Sequence, residues 1–394
     1  MTIHVKAMTK LRSFSVLIPD CGSYTALKVL RCLGQVPQVT THLLITGKRS
    51  PLARFSRYCG PCHYHRDLDE QGYIEVIKSL SESFGIDIVL PATPKSMEFI
   101  SRNRETILKV TSVPPIPEYE LLKMAGDKWS FHCFAEEQGF PVVPTVLVAN
   151  RKNIVADSSE LASIEYPALL KPTNQMSGEG ILRINSPSDF YRAVEQRGTI
   201  ETGNRYILQS YIPGVDFSLG VVCKGGKILA YALQKALFGP DNDFGYQKVM
   251  EFVHDERVIE IGKRLVSAMK WDGIAFIDFR LDQRNNTIKL LEMNPRFGRA
   301  LLGCLLAGVN LPLVWCLSSL GLIYKDSLNI NGRYAHPSFF LHLLKLQLLG
   351  KPTPVKMSWR ETGFRFSASD PLPELVNAFR GIVKRLYKGN CNNH

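Results

Sequence analysis

The chain has 394 residues, 45% hydrophobic and 21% charged, with a net charge of +12 and nine cysteines. This balance suits a soluble globular protein of two or three packed units and excludes a disordered or low-complexity chain. The basic surplus favours anionic partners (nucleotides, phosphorylated substrates, nucleic acid or acidic lipid) without choosing among them.

The N-terminus carries Lys6, Lys10 and Arg12, then the short apolar run Phe14–Ile18 before Pro19. That run is too short for a signal peptide and predicts a first strand. A helical pattern follows through Leu27, Leu30 and Leu33, then a strand over Thr40–Thr46. Tyr73–Phe84 predicts an amphipathic helix with Ile74, Ile77, Leu80 and Phe84 on one stripe, and Ile86–Leu90 a short strand. Strand–helix alternation predicts a parallel sheet with ligands near the carboxyl ends of its strands. No GxGxxG follows the first strand, so the dinucleotide fingerprint is absent.

Pro114-Pro115-Ile116-Pro117 is a rigid spacer and a domain boundary. Beyond it Glu118–Gly139 reads as largely helical, with Asp127-Lys128 inside it. Tyr166–Pro172 predicts a strand ending in Lys171. The loop Thr173–Gly180 follows, then a strand over Ile181–Ile184. A loop of this kind brings backbone N–H groups onto a phosphate, and a lysine at its base adds a point charge. Arg205–Ile212 is a further strand, leading to Pro213–Ser218. Asp255 caps a helix running to Lys270.

Ala300 to Tyr324 carries no charge, but Gly308, Asn310 and Pro312 interrupt it. It reads as two short buried helices and not as a membrane span. The tail Pro373–Lys388 predicts an amphipathic basic helix with Leu375, Phe379, Ile382 and Leu386 on one stripe. Such a stripe is expected to face the protein core. Peripheral contact with an anionic membrane or an acidic partner is its alternative use. The cysteines are scattered, some in apolar contexts such as Cys304 and Cys316, which fits a reducing cytoplasm.

The most informative stretch is Ala275–Phe297. Ile277, Phe279 and Leu281 alternate with Asp278, Arg280 and Asp282, the period of a strand. Gln283–Thr287 supplies a turn, and Ile288–Asn294 returns with Glu292 and Asn294 on one face. Pairing Asp282 with Ile288 places Asp278 opposite Glu292. Facing like charges are destabilising, and a divalent cation would offset that repulsion. Mg²⁺ takes one or two carboxylates plus substrate phosphates. Asn294 adds a neutral oxygen, and Arg296 a fork of donors for phosphate or carboxylate. A solvated acidic hairpin is the plainer alternative.

This order of motifs resembles the ATP-grasp superfamily across about residues 115–325, with carboxylate–amine ligases and carbamoyl phosphate synthetase large-chain domains as the nearest likenesses. The resemblance implies an α/β and α+β fold: a Rossmann-like pre-ATP-grasp domain (1–115), a two-subdomain ATP-grasp domain (116–325, lid about 145–209) and a C-terminal extension (326–394). It implies ATP and Mg²⁺, with Mn²⁺ as an alternative metal. Lys128 and Lys171 then match the lysines on the ATP phosphates. Ser177, Gly178 and Gly180 match the phosphate loop. Gln209, Ser210, Tyr211 and Ile212 match the linker at adenine, and Asp216 the acid on ribose. Asp278, Glu292 and Asn294 match the metal ligands, and Arg296 the arginine facing the reacting phosphate. Gln209 stands where relatives commonly carry an acid, and Asp216 where they carry Glu.

The expected activity is an ADP-forming ligase that joins a small-molecule carboxylate to an amine through an acyl phosphate. Lys171 and Arg296 are its catalytic groups, and Arg280 a residue that touches substrate. Asp241–Tyr246 is read as an acceptor loop. Two rival readings remain, activation of bicarbonate or carbamate and a non-catalytic nucleotide-binding homologue. A homo-oligomer is compatible with the sequence, and no nucleic-acid motif is present.

Tyr58-Cys59-Gly60-Pro61-Cys62 contains the thioredoxin tetrapeptide, followed by His63 and His65. It does not open a helix, and four potential ligands this close rarely close a tetrahedral zinc site. It reads as a variable loop of the first domain.

Overall fold

A computed structural model describes residues 12–19, 22–46, 51–66, 68–148, 161–175, 178–196, 205–238, 247–322, 331–353 and 355–391. Three sheets organise these residues. The first contains β1 (Phe14–Ile18), β2 (Val39–Ile45), β3 (Cys62–Tyr64) and β4 (Ile88–Val89), in the order β3-β2-β1-β4. All its pairings are parallel. The helices Tyr24–Leu33 and Glu70–Phe84 make two of the crossovers. β1 is apolar because the sheet is covered on both faces; Val16, Leu17 and Ile18 are fully buried. The predicted helix is capped by Asp69, whose side chain accepts from the Gly72 N–H, and stops at Gly85 in the left-handed conformation.

The second sheet contains β5 (Thr145–Val148), β6 (Ala168–Pro172), β7 (Leu182–Ile184) and β8 (Tyr206–Ser210), antiparallel in the order β5-β8-β6-β7. It has its own apolar cluster, which includes Val146, Leu170, Phe190 and Leu208. The third sheet contains β9 (Gly214–Lys224), β10 (Lys227–Phe238), β11 (Val249–Phe252), β12 (Gly273–Asp282), β13 (Thr287–Asn294) and β14 (Gly332–Ala335). Its order is β13-β12-β9-β10-β11-β14. One continuous core joins this sheet to the first domain and includes Leu30, Phe131, Phe276 and Trp315.

Several expectations change. The segment 118–139 is two helices, Tyr119–Gly126 and Lys128–Glu137, because Asp127 turns out of helical geometry and caps the second. Cys62–Tyr64 is a strand and not a loop, paired in parallel with Leu43–Ile45. Its polar sequence hid it, since an edge strand needs no apolar alternation. The uncharged stretch forms Leu301–Leu306 and Leu311–Ser319, both buried. Among the described residues no helix is long and apolar enough to cross a membrane.

The tail differs most. Gly332–Ala335 joins the third sheet against β11, so this part of the C-terminal residues is structurally one with the hairpin's sheet. The helix Leu372–Cys391 does not bury its stripe: Leu375, Phe379 and Ile382 are 63%, 66% and 56% exposed. It docks instead through polar contacts of its first turn, where Glu374 meets Arg31 at 3.2 Å and the Tyr24 hydroxyl at 2.6 Å, and through the segment before it. Arg31 and Asp370, each 1% exposed, form an ion pair at 3.0 Å between the first domain and the tail.

Candidate active site

The β12–β13 hairpin brings the acids together by an unexpected register. Asp282 pairs with Thr287, and Leu281 with Ile288, one step from the predicted pairing. A bulge between Asp278 and Phe279 then restores the offset, and Asp278 faces Glu292. β9 lies on the other side of β12 and sets Ser218 opposite Asp278. The Ser218 hydroxyl donates to Asp278 Oδ1 at 2.6 Å. The Asn294 amide nitrogen donates to Asp278 Oδ2 at 3.0 Å and to Glu292 Oε1 at 3.1 Å. Arg296 Nη2 donates to Asn294 Oδ1 at 3.1 Å.

Burial, and then the facing Glu292, push the Asp278 carboxyl up to about 7. Burial also works against ionising Glu292, but Lys128 and Lys171 outweigh it and hold that carboxyl below its usual range. The two acids are thus pushed in opposite directions, Asp278 upward and Glu292 downward, the behaviour of two acids sharing a site.

Two lysines stand beside this pair. Lys128 begins its helix, with the preceding Asp127 accepting from the Ser130 N–H at 2.9 Å. Its ammonium lies 3.4 Å from Glu292 Oε2 and donates to the Gln175 carbonyl at 2.7 Å. Lys171, on β6, donates to Gln209 Oε1 at 2.7 Å. Burial first, and then Lys128, lower the Lys171 ammonium to about 8. The loop after β6 returns through Gly178 and Gly180 at φ of 78° and 75°. A Cβ on Gly180 would meet Pro172 at 2.9 Å, so sterics as well as φ demand glycine there. Ser177 lies outside the described residues, as does Asp241–Tyr246.

Lys128, Lys171, Gly178, Gln209, Asp216, Asp278, Arg280, Glu292, Asn294 and Arg296 line one cavity of about 310 Å³. Ser210, Tyr211, Ile212 and Gly180 do not line it. Ser210 accepts from the Glu165 N–H at 2.9 Å, and the Tyr211 N–H donates to the Pro167 carbonyl at 2.9 Å. The Tyr211 ring lies near the guanidinium groups of Arg183 and Arg280, 5.0 and 5.2 Å from its centroid.

Arg280 is held by three groups. It pairs with Asp216, donates to the Ile212 carbonyl, and reaches the Tyr211 hydroxyl at 3.2 Å. The acid read as a ribose ligand and the arginine read as a substrate contact therefore engage one another. Gln247 Nε2 also donates to Asp216, at 2.6 Å. Sequence reasoning missed Ser218 and Gln247; only the pairing of β9 with β12 could have pointed to Ser218.

The two facing carboxylates fit a hard divalent cation, whereas the Asn294 amide turns its nitrogen to both acids and its oxygen to Arg296, so it would have to turn over to join them as a ligand. Among the described residues no three His, Cys, Asp or Glu side chains gather as a metal cluster.

Several known proteins resemble this chain. The family described as "ATP-grasp in the biosynthetic pathway with Ter operon" matches residues 203–333. The carbamoyl phosphate synthase arginine-specific large chain of Geobacillus stearothermophilus is 22% identical over 187 residues, 46% of this chain and 17% of that protein. The D-alanine–D-alanine ligase of Wolbachia sp. subsp. Drosophila simulans is 25% identical over 170 residues, 39% of this chain and 50% of that protein. The chain thus spans half or less of these curated relatives. The biotin carboxylase domain dimer of Hydrogenobacter thermophilus 2-oxoglutarate carboxylase was solved with MgADP, ADP and bicarbonate. It superposes with a TM-score of 0.61 at 18% identity, covering 81% of this chain and 73% of that one. Fold, hairpin and family match point the same way, to an ATP-grasp likeness that the family match places over residues 203–333.

Proposed function

We propose that the chain is an ATP-dependent, ADP-forming ligase that joins a small-molecule carboxylate to an amine. The observation that carries this reading is Asp278 facing Glu292, with Lys128 at 3.4 Å from the second acid. Such an array neutralises and orients a polyphosphate, which is most of what phosphoryl transfer asks of a protein.

In this reading Asp278, Glu292 and Asn294 hold Mg²⁺, with Mn²⁺ as a substitute. Held there, such an ion would supply positive charge against the phosphate oxygens during transfer. Lys128 and Lys171 bind the phosphates, with Ser177, Gly178 and Gly180 as the covering loop. Gln209–Ile212 and Asp216 belong to the adenosine side. Arg296 stabilises the γ-phosphate as the substrate carboxylate attacks phosphorus in line and ADP leaves. The amine then attacks the acyl carbon, loses its proton, and expels phosphate. Arg280 acts as a positioning residue, because Asp216 and the Ile212 carbonyl already hold it.

The proposed units are 1–115, 116–325 with a lid at about 145–209, and 326–394. A reducing cytoplasm fits four buried thiols, Cys32, Cys223, Cys304 and Cys316. The basic tail helix is the feature that would meet an anionic surface, and none of the relatives' names mentions a membrane. A homo-oligomer is compatible with this reading.

The test is ADP release from MgATP across pooled carboxylic acids and amines, with mass analysis of the product. Acid- and amine-dependent ADP with an amide product supports the proposal. ADP formed with bicarbonate alone, or nucleotide binding without turnover across the panel, replaces it with one of the two rivals.

A further inference from the structure

The tetrapeptide Cys59-Gly60-Pro61-Cys62 has no place in the ligase site, yet the fold holds it with care. The two sulfurs lie 3.5 Å apart. A disulfide needs about 2.05 Å, so closure asks for a small side-chain adjustment and no rebuilding of the chain.

The turn between the thiols is pinned on both sides. The Cys59 N–H donates to the Ser56 carbonyl at 3.0 Å, and the Leu43 N–H donates to the Pro61 carbonyl at 3.0 Å. Thr41 Oγ1 donates to the Tyr58 carbonyl at 2.8 Å and accepts from the Gly60 N–H at 3.4 Å. A Cβ on Gly60 would stand 2.3 Å from the Thr41 carbonyl oxygen, so only glycine lets the turn sit so close to β2. Ordering of this kind lowers the entropic cost of ring closure before any oxidant arrives.

Among the described thiols the pair is also reachable and distinct. Cys59 and Cys62 are half-exposed, whereas Cys32, Cys223, Cys304 and Cys316 are buried. Burial raises all four of those thiols, which makes them poor nucleophiles. Cys133 is half-exposed, but burial and then Glu136 raise it. No acid occurs between residues 51 and 66, while Arg54, Arg57 and Arg66 do, so the local charge draws anionic reagents. A zinc site is a poorer use of these residues. The His63 ring faces His42, with nitrogens 3.1 Å apart, and no three-ligand cluster exists among the described residues.

We propose that Cys59 and Cys62 form a reversible dithiol–disulfide couple, oxidised by low-molecular-weight disulfides, at a site separate from the nucleotide pocket. One thiolate attacks a sulfur of the reagent RSSR, forms a mixed disulfide and releases one RSH. The second thiol loses its proton and attacks the protein sulfur of that mixed disulfide. The internal S–S bond forms and the second RSH departs. Two protein thiols are oxidised, and one RSSR is reduced to two RSH. In a reducing compartment such a bond is transient, which is the usual form of a cytosolic disulfide.

The experiment treats the full-length folded protein with oxidised glutathione and maps its peptides by mass spectrometry. The expected result is an internally linked 59–62 peptide that has lost two hydrogens and carries no glutathione, reversed by reduced glutathione. Cys62→Ser should instead stop at a glutathione adduct on Cys59, and Cys133→Ser should behave like the wild type. Wild-type protein that keeps glutathione on either cysteine without closing the bond, or that leaves both thiols unreacted, overturns the proposal. Since the wild type carries the decisive readout, a poorly folding variant does not cloud it.

Discussion

Lys171 donates to the side chain of Gln209 at 2.7 Å, within a cavity where burial and a second lysine already lower its ammonium to about 8. A neutral amide is the partner, so nothing at this contact restores the charge that burial discourages. Gln209 is fixed from behind, since its Nε2 donates to Thr145 Oγ1 at 2.9 Å. The arrangement orients Lys171 within the cavity, where Glu292 favours its charge while burial and Lys128 oppose it.

Gln209→Glu should change that balance. A carboxylate at 2.7 Å would raise the lysine pKa, since an opposite charge favours the ionised form. It would also add negative charge beside the polyphosphate. ATP affinity at pH 7 should fall several-fold, while its weakening above pH 8 moves to higher pH. Calorimetric titration of the nucleotide between pH 6.5 and 9.5 checks both. Identical pH profiles for the two proteins would remove Gln209 from any control over Lys171.

Ser218→Ala tests the second layer behind the metal ligands. The hydroxyl donates to Asp278 Oδ1 at 2.6 Å from the neighbouring strand. Loss of such an orienting contact typically costs about 10–100-fold in metal affinity. The apparent Mg²⁺ requirement for ADP formation should rise by about that factor, with maximal turnover largely regained at high metal. Glu292→Gln should lose turnover at every metal concentration, because it removes a ligand and not its support. A Mg²⁺ titration of both variants separates the two effects.

The acids were readable from the sequence and the route to them was not. Alternation around Asp278 and Glu292 marks the hairpin, and the facing pair is found as expected. The turn, however, is a residue tighter than the composition implied, and the bulge that repairs the offset falls in Leu290-Leu291, where two apolar residues give no cue. Lys171 was legible because a charge ending an apolar strand needs a partner. Ser218 was not, because its role depends on a strand pairing with a residue 60 positions away. The docking of the tail through Asp370 was equally hidden: a single acid in a polar segment does not say that Arg31, 339 residues earlier, will be buried against it.

That buried pair is a stability prediction. Asp370 accepts from Arg31 Nε at 3.0 Å, from Ser56 Oγ at 2.8 Å and from the Arg57 N–H at 2.8 Å. Asp370→Ala removes the acceptor of Arg31, Ser56 and Arg57 but leaves Arg31 its contacts with Glu374 and the residue-370 carbonyl, so the cost should be about 1–3 kcal/mol. Changing both partners, Arg31→Met with Asp370→Leu, should recover part of the loss, since the buried guanidinium is gone and only Glu374 loses its arginine. Urea unfolding of the three variants provides the comparison. A cost near zero for Asp370→Ala would show that the tail is not docked through this contact.

His336 sets a pH dependence of a different origin. It follows β14 and is half-buried. Burial, then the positive charges of Lys28 and Arg299, lower its imidazole from 6.5 to about 4, with Glu374 opposing. In the unfolded chain the ring takes up its proton near pH 6.5, and in the folded chain only near 4. The unfolded state therefore binds more protons between these values, and stability must fall as pH falls through that window. Above pH 6.5 the ring is neutral in both states and contributes no slope. The loss is on the order of 2–3 kcal/mol at full effect. Carboxylates elsewhere also titrate at the lower end of the range, so the readout is a difference. Chemical denaturation from pH 7.5 to 4.5 should show the wild type losing more stability than His336→Asn, with the two curves parting below about pH 6.5. Parallel curves would mean that Lys28 and Arg299 do not act on this ring.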